Sequence, residues 1–292
     1  MNLPVDWIGS KDLIADKLEL PERWILSRLA DTIERFDRQL ARFHFNEAAK
    51  VIYDFTWNDF CDWYVEIAKI QFYGDDDDKK MTARLVSIKC IRTILALLHP
   101  YAPFISEELW SCFKEEGEKD LIVTSWPEME NELVDKNTES DMELLKDVVT
   151  AIRSIRSRMN VPPSKIAELI VRCSEDKETF IKNHLSLFQA LTKIDKPKFG
   201  KSIKKPDQSA TAVVHGMELY IPLGGLVDLN QEQARMEKRE AEIQKLISGI
   251  NGKLSNENFV NRAPDHVVNH ERNKLDSLTE ELEKVTTNLE TL

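Results

Sequence analysis

Few residues in this 292-residue sequence have a type and spacing that could support catalysis. Gly200-Lys201-Ser202 resembles the end of a phosphate-binding loop, but Asp195 stands where the first glycine of that motif belongs. Glu107 and Glu108 are adjacent in a helical pattern, so they point in different directions and cannot act as paired acids. The six histidines lack the spacing of metal ligands. The sequence therefore offers no catalytic constellation.

Two groups of basic residues remain as candidates for contacts with an anion. Arg153 and Arg156 share a helix face because they are three residues apart, and Arg158 follows them. These arginines could contact a phosphate or a base edge, or they could simply serve surface solubility. A second group suggests either a solvated loop or a phosphate-backbone contact, and consists of Lys193, Lys196, Lys198, Lys201, Lys204 and Lys205.

Composition and charge limit the class of protein. The net charge is −11, so any nucleic-acid binding must depend on local patches rather than on an overall positive field. Hydrophobic residues make up 42% and charged residues 31%, which is typical of a folded, helix-rich chain. No apolar run approaches the roughly 20 residues of a membrane span, and the first residues do not resemble a signal peptide. We therefore expect a cytoplasmic protein with reduced, buried cysteines at Cys61, Cys90, Cys112 and Cys173.

Helical apolar stripes predict a bundle in the first half of the chain. One helix begins at Pro21, and a second follows a break near His44. The acidic run from Asp75 to Asp78 is most simply a solvated loop, although four adjacent carboxylates could also suggest a cation site. A polar loop over residues 115–138 should be pinned to the bundle by Trp126. Further helices are predicted over residues 85–98, 104–113 and 141–159.

The pattern then changes to that of a small α/β unit. A strand is predicted over residues 167–173, a helix over 175–192, and a hairpin over 210–222 that turns at His215-Gly216. Gly224-Gly225 provides a hinge-like entry into the remaining segment.

Apolar residues at seven-residue spacing predict two long helices in the C-terminal segment. Met236, Ile243 and Ile250 mark the first helix, and the second is marked by Val268, Leu275, Leu282 and Leu289. A short connection should fold them back as an antiparallel hairpin, with limbs roughly 40 Å long at about 1.5 Å per residue. Such an arm is too thin for a catalytic pocket, and it suits either reaching a partner or dimerisation.

The segment Phe55-Thr-Trp-Asn-Asp-Phe-Cys-Asp-Trp-Tyr64 is unusually aromatic, and on a helix its rings would cover nearly every face. Core packing explains most of them, while one side could offer flat surface to unstacked bases. Further on lie Leu98-His-Pro-Tyr-Ala-Pro-Phe-Ile-Ser-Glu-Glu-Leu-Trp110 and Ile152-Arg-Ser-Ile-Arg156. Together these segments resemble the anticodon-binding helical bundle of class I aminoacyl-tRNA synthetases. Asn258-Phe-Val-Asn-Arg-Ala-Pro264, in the terminal hairpin, resembles the valyl-tRNA synthetase family in particular.

The resemblance covers almost the whole chain and implies the C-terminal third of such an enzyme. The family's ATP-binding signatures, His-Ile-Gly-His and Lys-Met-Ser-Lys-Ser, do not occur in this sequence. The catalytic and editing domains, and the first helix of the bundle, are therefore expected upstream of Met1. ATP and Mg²⁺ would belong to the parent enzyme, and we expect no cofactor, no metal and no activity in this part alone.

The resemblance also implies roles for individual residues. The bundle would hold the valine anticodon and read bases on the helix that carries Cys61 to Glu66. The expected anticodon-binding residues are Cys61, Asp62, Val65, Glu66, Arg153 and Arg156. The expected contacts of the arm with the tRNA elbow are Lys253, Arg262 and Lys274. Gly249 departs from the family pattern, because relatives can carry arginine at that arm position.

We therefore predict a mainly α protein in three parts. A class I synthetase anticodon-binding helical bundle spans residues 1–160, a small α/β subdomain spans 161–225, and an antiparallel coiled-coil hairpin spans 226–292. The predicted function is tRNA recognition within a valine–tRNA ligase, as a monomer that binds tRNA(Val) and neither DNA nor a membrane. The alternative is a helical scaffold protein that dimerises through its C-terminal coiled coil.

Overall fold

The computed structural model describes residues 15–114, 117–195, 197–256 and 264–289. The chain divides into two compact units, Met1–Lys146 and Asp147–Leu292. The first unit is helical and contains α1 (Leu20–Leu40), α2 (Phe45–Asp54), α3 (Glu66–Phe72), α4 (Asp77–Leu98), α5 (Pro103–Ser111) and the start of α6 (Lys136–Arg158). A π-helical segment, Phe55–Val65, joins α2 to α3, and short 3-10 turns lie at Ala15–Lys17, Leu121–Val123 and Asn131–Leu133.

The apolar face of α1 forms the centre of the first unit. Pro21 lies in the first turn, where a missing N–H group costs nothing. Trp24, Leu29 and Phe36 are at most 2% exposed, and α1 packs against α2, the π-helical segment and α4. The apolar stripe predicted from the sequence is therefore confirmed.

The π-helical segment arranges its aromatic residues differently from a regular helix. Hydrogen bonds from i to i+5 widen the turn, so residues four and five apart share a face. Phe55, Phe60 and Tyr64 follow that spacing and are all buried, and the rings of Phe60 and Tyr64 are stacked with centroids 6.0 Å apart. Trp57 is 53% exposed. Core packing therefore accounts for most of these rings, as the sequence predicted, and Trp57 lies outside the buried face.

The acidic run is partly helical, which corrects the predicted loop. The Asp76 carboxylate caps α4 by accepting hydrogen bonds from the backbone N–H groups of Asp78 at 3.0 Å and Lys79 at 3.1 Å. Asp77 and Asp78 occupy the first turn, where negative charge is favourable. No group of side chains in the described part of the chain is arranged to hold a metal ion, so the alternative of a cation site is not supported.

The loop before α6 is pinned to the bundle as predicted. The indole Nε1 of Trp126 donates a hydrogen bond to Oδ1 of Asp37 at 2.9 Å, and its ring lies 5.9 Å from that of Phe36. At the start of α6, Asp135 accepts hydrogen bonds from the hydroxyl and the backbone N–H of Thr138. These bonds, with help from Arg23, lower the pKa of Asp135 to about 2.

The second unit contains the rest of α6, a small sheet and two further helices before the arm. Its elements are β1 (Ile170–Arg172), α7 (Glu175–Asn183), α8 (Leu185–Thr192), β2 (Lys198–Phe199), β3 (Ser209–Val214) and β4 (Met217–Pro222). The described strands form a sheet in the order β2-β1-β4-β3, with β1 and β2 parallel and the other pairs antiparallel.

The sheet confirms the predicted hairpin and corrects two other expectations. His215 and Gly216 both have positive φ, as a tight turn between β3 and β4 requires. The helix predicted over residues 175–192 is interrupted at His184. The lysine-rich segment is mostly a loop, as predicted, but Lys198 and Phe199 form β2. Lys198 and Lys201 pair with Glu168 and Glu175, and Lys196 lies outside the described residues.

The arm is an antiparallel helical hairpin of α9 (Leu229–Leu254) and α10 (Asp265–Leu289). Ion pairs at complementary positions, Arg239 with Glu281 at 2.7 Å and Lys253 with Glu271 at 3.1 Å, define the antiparallel register. The predicted seam is confirmed, because it is filled by the buried side chains of Met236, Ile243, Ile250, Val268 and Leu278. Residues 257–263 lie outside the described residues.

All four cysteines are free, and Cys90 and Cys173 are buried. Cys61 is half-buried and Cys112 is exposed, so the expectation of buried thiols is wrong for these two. No helix in the described ranges is both long and apolar enough to cross a membrane.

Candidate nucleic-acid interface

A network of ion pairs fixes the π-helical segment on α1. The guanidinium of Arg28 donates through Nε to Oδ2 of Asp59 at 2.9 Å, and it lies 3.4 Å from Asp31 and 3.7 Å from Glu139. Arg28 is partly buried among these three carboxylates, so the pairs are only partly screened by solvent. The segment that carries the predicted anticodon-binding residues is therefore held at its centre.

Four of the predicted residues lie where the π-helical segment passes into α3. Asp62 and Glu66 are exposed, whereas Cys61 and Val65 are half-buried. Burial raises the pKa of the Cys61 thiol, and the nearby charge of Asp62 raises it further. The structure thus brings all four onto one rigid helix, with two carboxylates at its surface.

Two aromatic residues on the same helix were not predicted as site residues. Tyr53 is 60% exposed and Trp57 53% exposed, with ring centroids 6.3 Å apart. Steps of four and five residues place Tyr53, Trp57, Asp62 and Glu66 along one side of the wide helix. The signal in the sequence was this spacing, but it is visible only once the π geometry is known.

Arg156 has a structural role that neither alternative from the sequence anticipated. Its side chain donates hydrogen bonds to the backbone carbonyls of Lys193 at 3.3 Å, Pro162 at 3.1 Å and Lys165 at 2.8 Å. The residue is 8% exposed, and burial lowers the pKa of its guanidinium. Arg156 therefore joins α6 to the chain segments around β1.

The neighbouring arginines also contact carbonyl groups but remain exposed. Arg153 donates through Nε to the carbonyl of Leu191 at 3.0 Å, and Arg158 donates through Nη2 to that of Thr211 at 3.3 Å. Both residues belong to the second unit, whereas Cys61 to Glu66 belong to the first.

The predicted residues of the arm differ in their surroundings. Lys253 forms its ion pair with Glu271 across the hairpin. Lys274 is exposed and pairs with no described residue, and open space surrounds the position of a side chain at Gly249. Arg262 lies outside the described residues.

Comparison with known proteins identifies the family. Residues 22–171 match the model of the anticodon-binding domain of tRNA ligases, which covers half of the chain. The chain belongs to this family. Residues 228–292 match a second model, described as the valyl tRNA synthetase tRNA binding arm. The anticodon-binding domain match thus contains the helix with Cys61 to Glu66, and the second match contains α9 and α10.

Three relatives of this chain are each named valine–tRNA ligase. The chain is similar to that of Enterococcus faecalis, with 37% identity over 96% of this chain and 31% of the relative. The corresponding protein of Bacillus subtilis is 37% identical over 94% of this chain and 31% of the relative. That of Syntrophotalea carbinolica is 38% identical over 96% of this chain and 32% of the relative. The chain therefore spans about a third of the length of these relatives.

Proposed function

We propose that this chain is the tRNA-recognition part of a valine–tRNA ligase and binds tRNA(Val) at the anticodon and at the elbow. The observation that carries the proposal is the order of the two matches. An anticodon-binding domain and a valyl-type arm follow one another in a chain that is 37% identical to a valine–tRNA ligase over 96% of its length. The parent enzyme would be cytoplasmic and monomeric, and would join valine to tRNA with ATP and Mg²⁺ bound by its other domains.

The rival function, a scaffold that dimerises through a coiled coil, needs a free apolar seam. In this arm the seam is used within the chain, because Ile243 is fully buried and Ile250 is 4% exposed between the two helices. Leu246 lies outside the seam and is 46% exposed, and one such leucine is an ordinary surface feature. The geometry therefore favours an arm that contacts a different molecule rather than the arm of a second copy of the chain.

The anticodon site that we propose is the side of the π-helical segment and α3 that carries Cys61, Asp62, Val65 and Glu66. Carboxylates can accept hydrogen bonds from the exocyclic amino group of a base such as cytosine. The exposed rings of Tyr53 and Trp57 add flat surface on which an unstacked base can lie.

Of the two arginines expected at the anticodon, only one is a proposed contact. Arg153 is exposed and stays among the proposed contacts. Arg156 does not, because three backbone carbonyls already occupy its donors. At the elbow we propose Lys274 and Arg262, with Lys253 contributing less because its charge is paired with Glu271.

A gel-shift titration tests the proposal. The chain should bind tRNA(Val) more tightly than an unrelated tRNA, and it should give no valine-dependent pyrophosphate exchange by itself. Equal affinity for both tRNAs would contradict anticodon recognition. The absence of tRNA binding together with a stable dimer would support the scaffold function instead.

Val65→Asp is expected to impair anticodon discrimination in the full-length ligase. The substitution places a charge at a half-buried position beside Glu66, so it removes apolar contact and repels a neighbouring carboxylate. Aminoacylation kinetics should show a loss in kcat/KM for tRNA(Val) of about 10- to 100-fold, the range of one good base contact. Val213→Asp is the matched control, because Val213 is 71% exposed on β3. Kinetics equal to wild type for Val65→Asp would remove this face from the site.

Lys274→Glu is expected to weaken tRNA binding with little change in melting temperature. Lys274 is exposed on α10 and pairs with no described residue, so its reversal costs the fold little but repels a phosphate. The dissociation constant should rise by about three- to tenfold at moderate salt. Lys284→Glu, at another exposed position of the same helix, controls for the change in net charge. If both variants bind equally, Lys274 has no specific contact.

A further inference from the structure

A groove lies at the base of the arm, where the end of α6, the turn at Gly224–Val227 and the first turns of α9 meet. Its volume is about 600 Å³, and its lining includes Asn160, Lys165, Asp228, Arg235 and Lys238. None of these residues belongs to the anticodon or elbow contacts proposed above. The groove therefore needs its own explanation.

The groove is locally positive in a chain whose net charge is −11. Three of its lining residues are cationic, and the carboxylate of Asp228 caps α9 by accepting a hydrogen bond from the backbone N–H of Gln231 at 3.1 Å. Lys165 donates one hydrogen bond, to the carbonyl of Gly225 at 2.7 Å, and its ammonium has two further donors. Lys238 is exposed and forms no ion pair with any residue that the structure describes.

Arg235 is held at the edge of the groove by the end of α6. With its amide oxygen turned toward the guanidinium, Asn160 accepts hydrogen bonds from Nη2 at 3.0 Å and from Nε at 3.1 Å. Asn160 itself adopts a left-handed backbone conformation with φ of 47°, which ends the helix at this point. These hydrogen bonds and the end of α6 thus fix the position of the Arg235 guanidinium.

The positive surface continues from the groove along α9. Steps of three and four residues place Lys238, Ala241, Lys245, Ser248 and Gly252 on one exposed strip, on the side of the helix opposite the seam. The strip has two lysines and otherwise small residues, which would let a bulky polyanion approach closely. The exposed acid that neighbours both lysines, Glu242, is paired with Arg239 at 3.5 Å. The corresponding outward face of α10 is acidic, with Asp276, Glu280 and Glu283.

We propose that the groove and the strip on α9 bind the sugar–phosphate backbone of the tRNA body. The proposal rests on the proposed function and adds to it a third contact area, at the base of the arm. A free phosphate ion could use the same cations, but a single ion would not explain why the positive surface extends to Lys245. Backbone contacts carry no sequence information, so this area should increase affinity for all tRNAs equally.

The test measures how tRNA affinity depends on salt for wild type, Lys238→Ala and the double variant Lys165→Ala/Lys238→Ala. Each lost phosphate contact should reduce the slope of log K against log salt by about one. We therefore expect a decrease of about one for the single variant and about two for the double variant, with the same fold-loss for tRNA(Val) and for an unrelated tRNA. Lys284→Ala, on α10, is the matched control and should keep the wild-type slope.

The outcomes separate this proposal from the proposed function. If wild type binds no tRNA, the proposed function fails and this proposal fails with it. If wild type binds tRNA(Val) selectively but Lys238→Ala and the double variant keep its slope and affinity, only the groove is excluded. In a second experiment, inorganic phosphate replaces chloride at equal ionic strength. Phosphate should compete with tRNA for these cations and reduce the difference between wild type and the double variant. Weakened phosphate binding in the double variant, together with an unchanged tRNA affinity and salt slope, would identify a small-anion site and overturn the assignment to RNA.

Discussion

Glu22→Gln is expected to raise the free energy of unfolding of the first unit by about 3 kcal/mol at pH 8. Glu22 lies in the first turn of α1 and is 1% exposed, and neither of its carboxyl oxygens has a hydrogen-bond partner of normal geometry among the described residues. Gln71 and the backbone N–H groups of Glu22 and Glu19 interact with the carboxylate only weakly, and they oppose the effect of burial on its pKa. Burial raises its pKa from 4.5 to about 7, and the charge of nearby Glu19 adds to the increase. The ionised side chain therefore destabilises the folded state, and an uncharged side chain of the same shape removes that cost.

The pH dependence gives the prediction a clear signature. Well below pH 4.5 the carboxyl group is protonated in both states, and its ionisation does not affect stability. Between 4.5 and about 7 the unfolded chain loses the proton while the folded chain keeps it, so stability falls as pH rises. The advantage of Glu22→Gln should thus be below about 1 kcal/mol at pH 5 and reach its full size above pH 7.

Urea denaturation at several pH values measures this difference. Glu34→Gln is the control, because Glu34 lies on the same helix and is exposed, so its neutralisation should leave the pH profile unchanged. A Glu22→Gln variant that is no more stable than wild type at pH 8 would show that the carboxyl group is solvated or hydrogen-bonded after all.

The sequence predicted those parts of the fold that depend on periodic burial. The stripe from Trp24 to Phe36 and the seven-residue seam of the arm are repeated many times, so each is specified by several residues at once. The hairpin at His215-Gly216 was predictable for a different reason, because few residue pairs adopt positive φ at two successive positions.

Other features could not be predicted because they depend on contacts between distant residues. The π-helical segment has the same composition as a regular aromatic helix, and only its packing on α1 reveals which rings are buried. Likewise, the sequence placed Arg156 beside Arg153 on one helix face but could not show the three carbonyl groups that surround it. Glu22 lies in the first turn of α1, where acidic residues are common, so its position in the sequence does not indicate that it is buried.

The anticodon site could be predicted from the sequence to a greater extent than the groove at the base of the arm. The four residues from Cys61 to Glu66 came from the family resemblance, and the structure adds the exposed rings of Tyr53 and Trp57 beside them. The groove at the base of the arm could not be foreseen, since Lys165 and Lys238 are far apart in the sequence and meet only through the turn at Gly224–Val227.

Ile243→Ala is expected to destabilise the arm by about 2–4 kcal/mol, whereas Leu246→Ala should change it by less than about 0.5 kcal/mol. Ile243 is fully buried in the seam beside Ile250 and Leu278, but Leu246, three residues later on the same helix, is 46% exposed. Hydrogen exchange can resolve the effect, because protection of amides in α9 and α10 should fall in Ile243→Ala while protection in α1 stays unchanged. Equal protection in the two variants would show that the seam does not hold the hairpin together.

The same variant distinguishes a rigid arm from one that binds only through its charges. An arm that binds through its shape must be ordered before it contacts the tRNA. Loosening the seam therefore adds an entropic cost of ordering to binding and lowers the affinity for tRNA. Ile243→Ala removes no cation, and the slope of tRNA affinity against salt should therefore remain that of wild type, unlike the slope of Lys238→Ala. A loss of affinity at constant slope would mean that the arm contributes through its preorganised shape, and unchanged affinity would mean that its lysines suffice even when the hairpin is loosened.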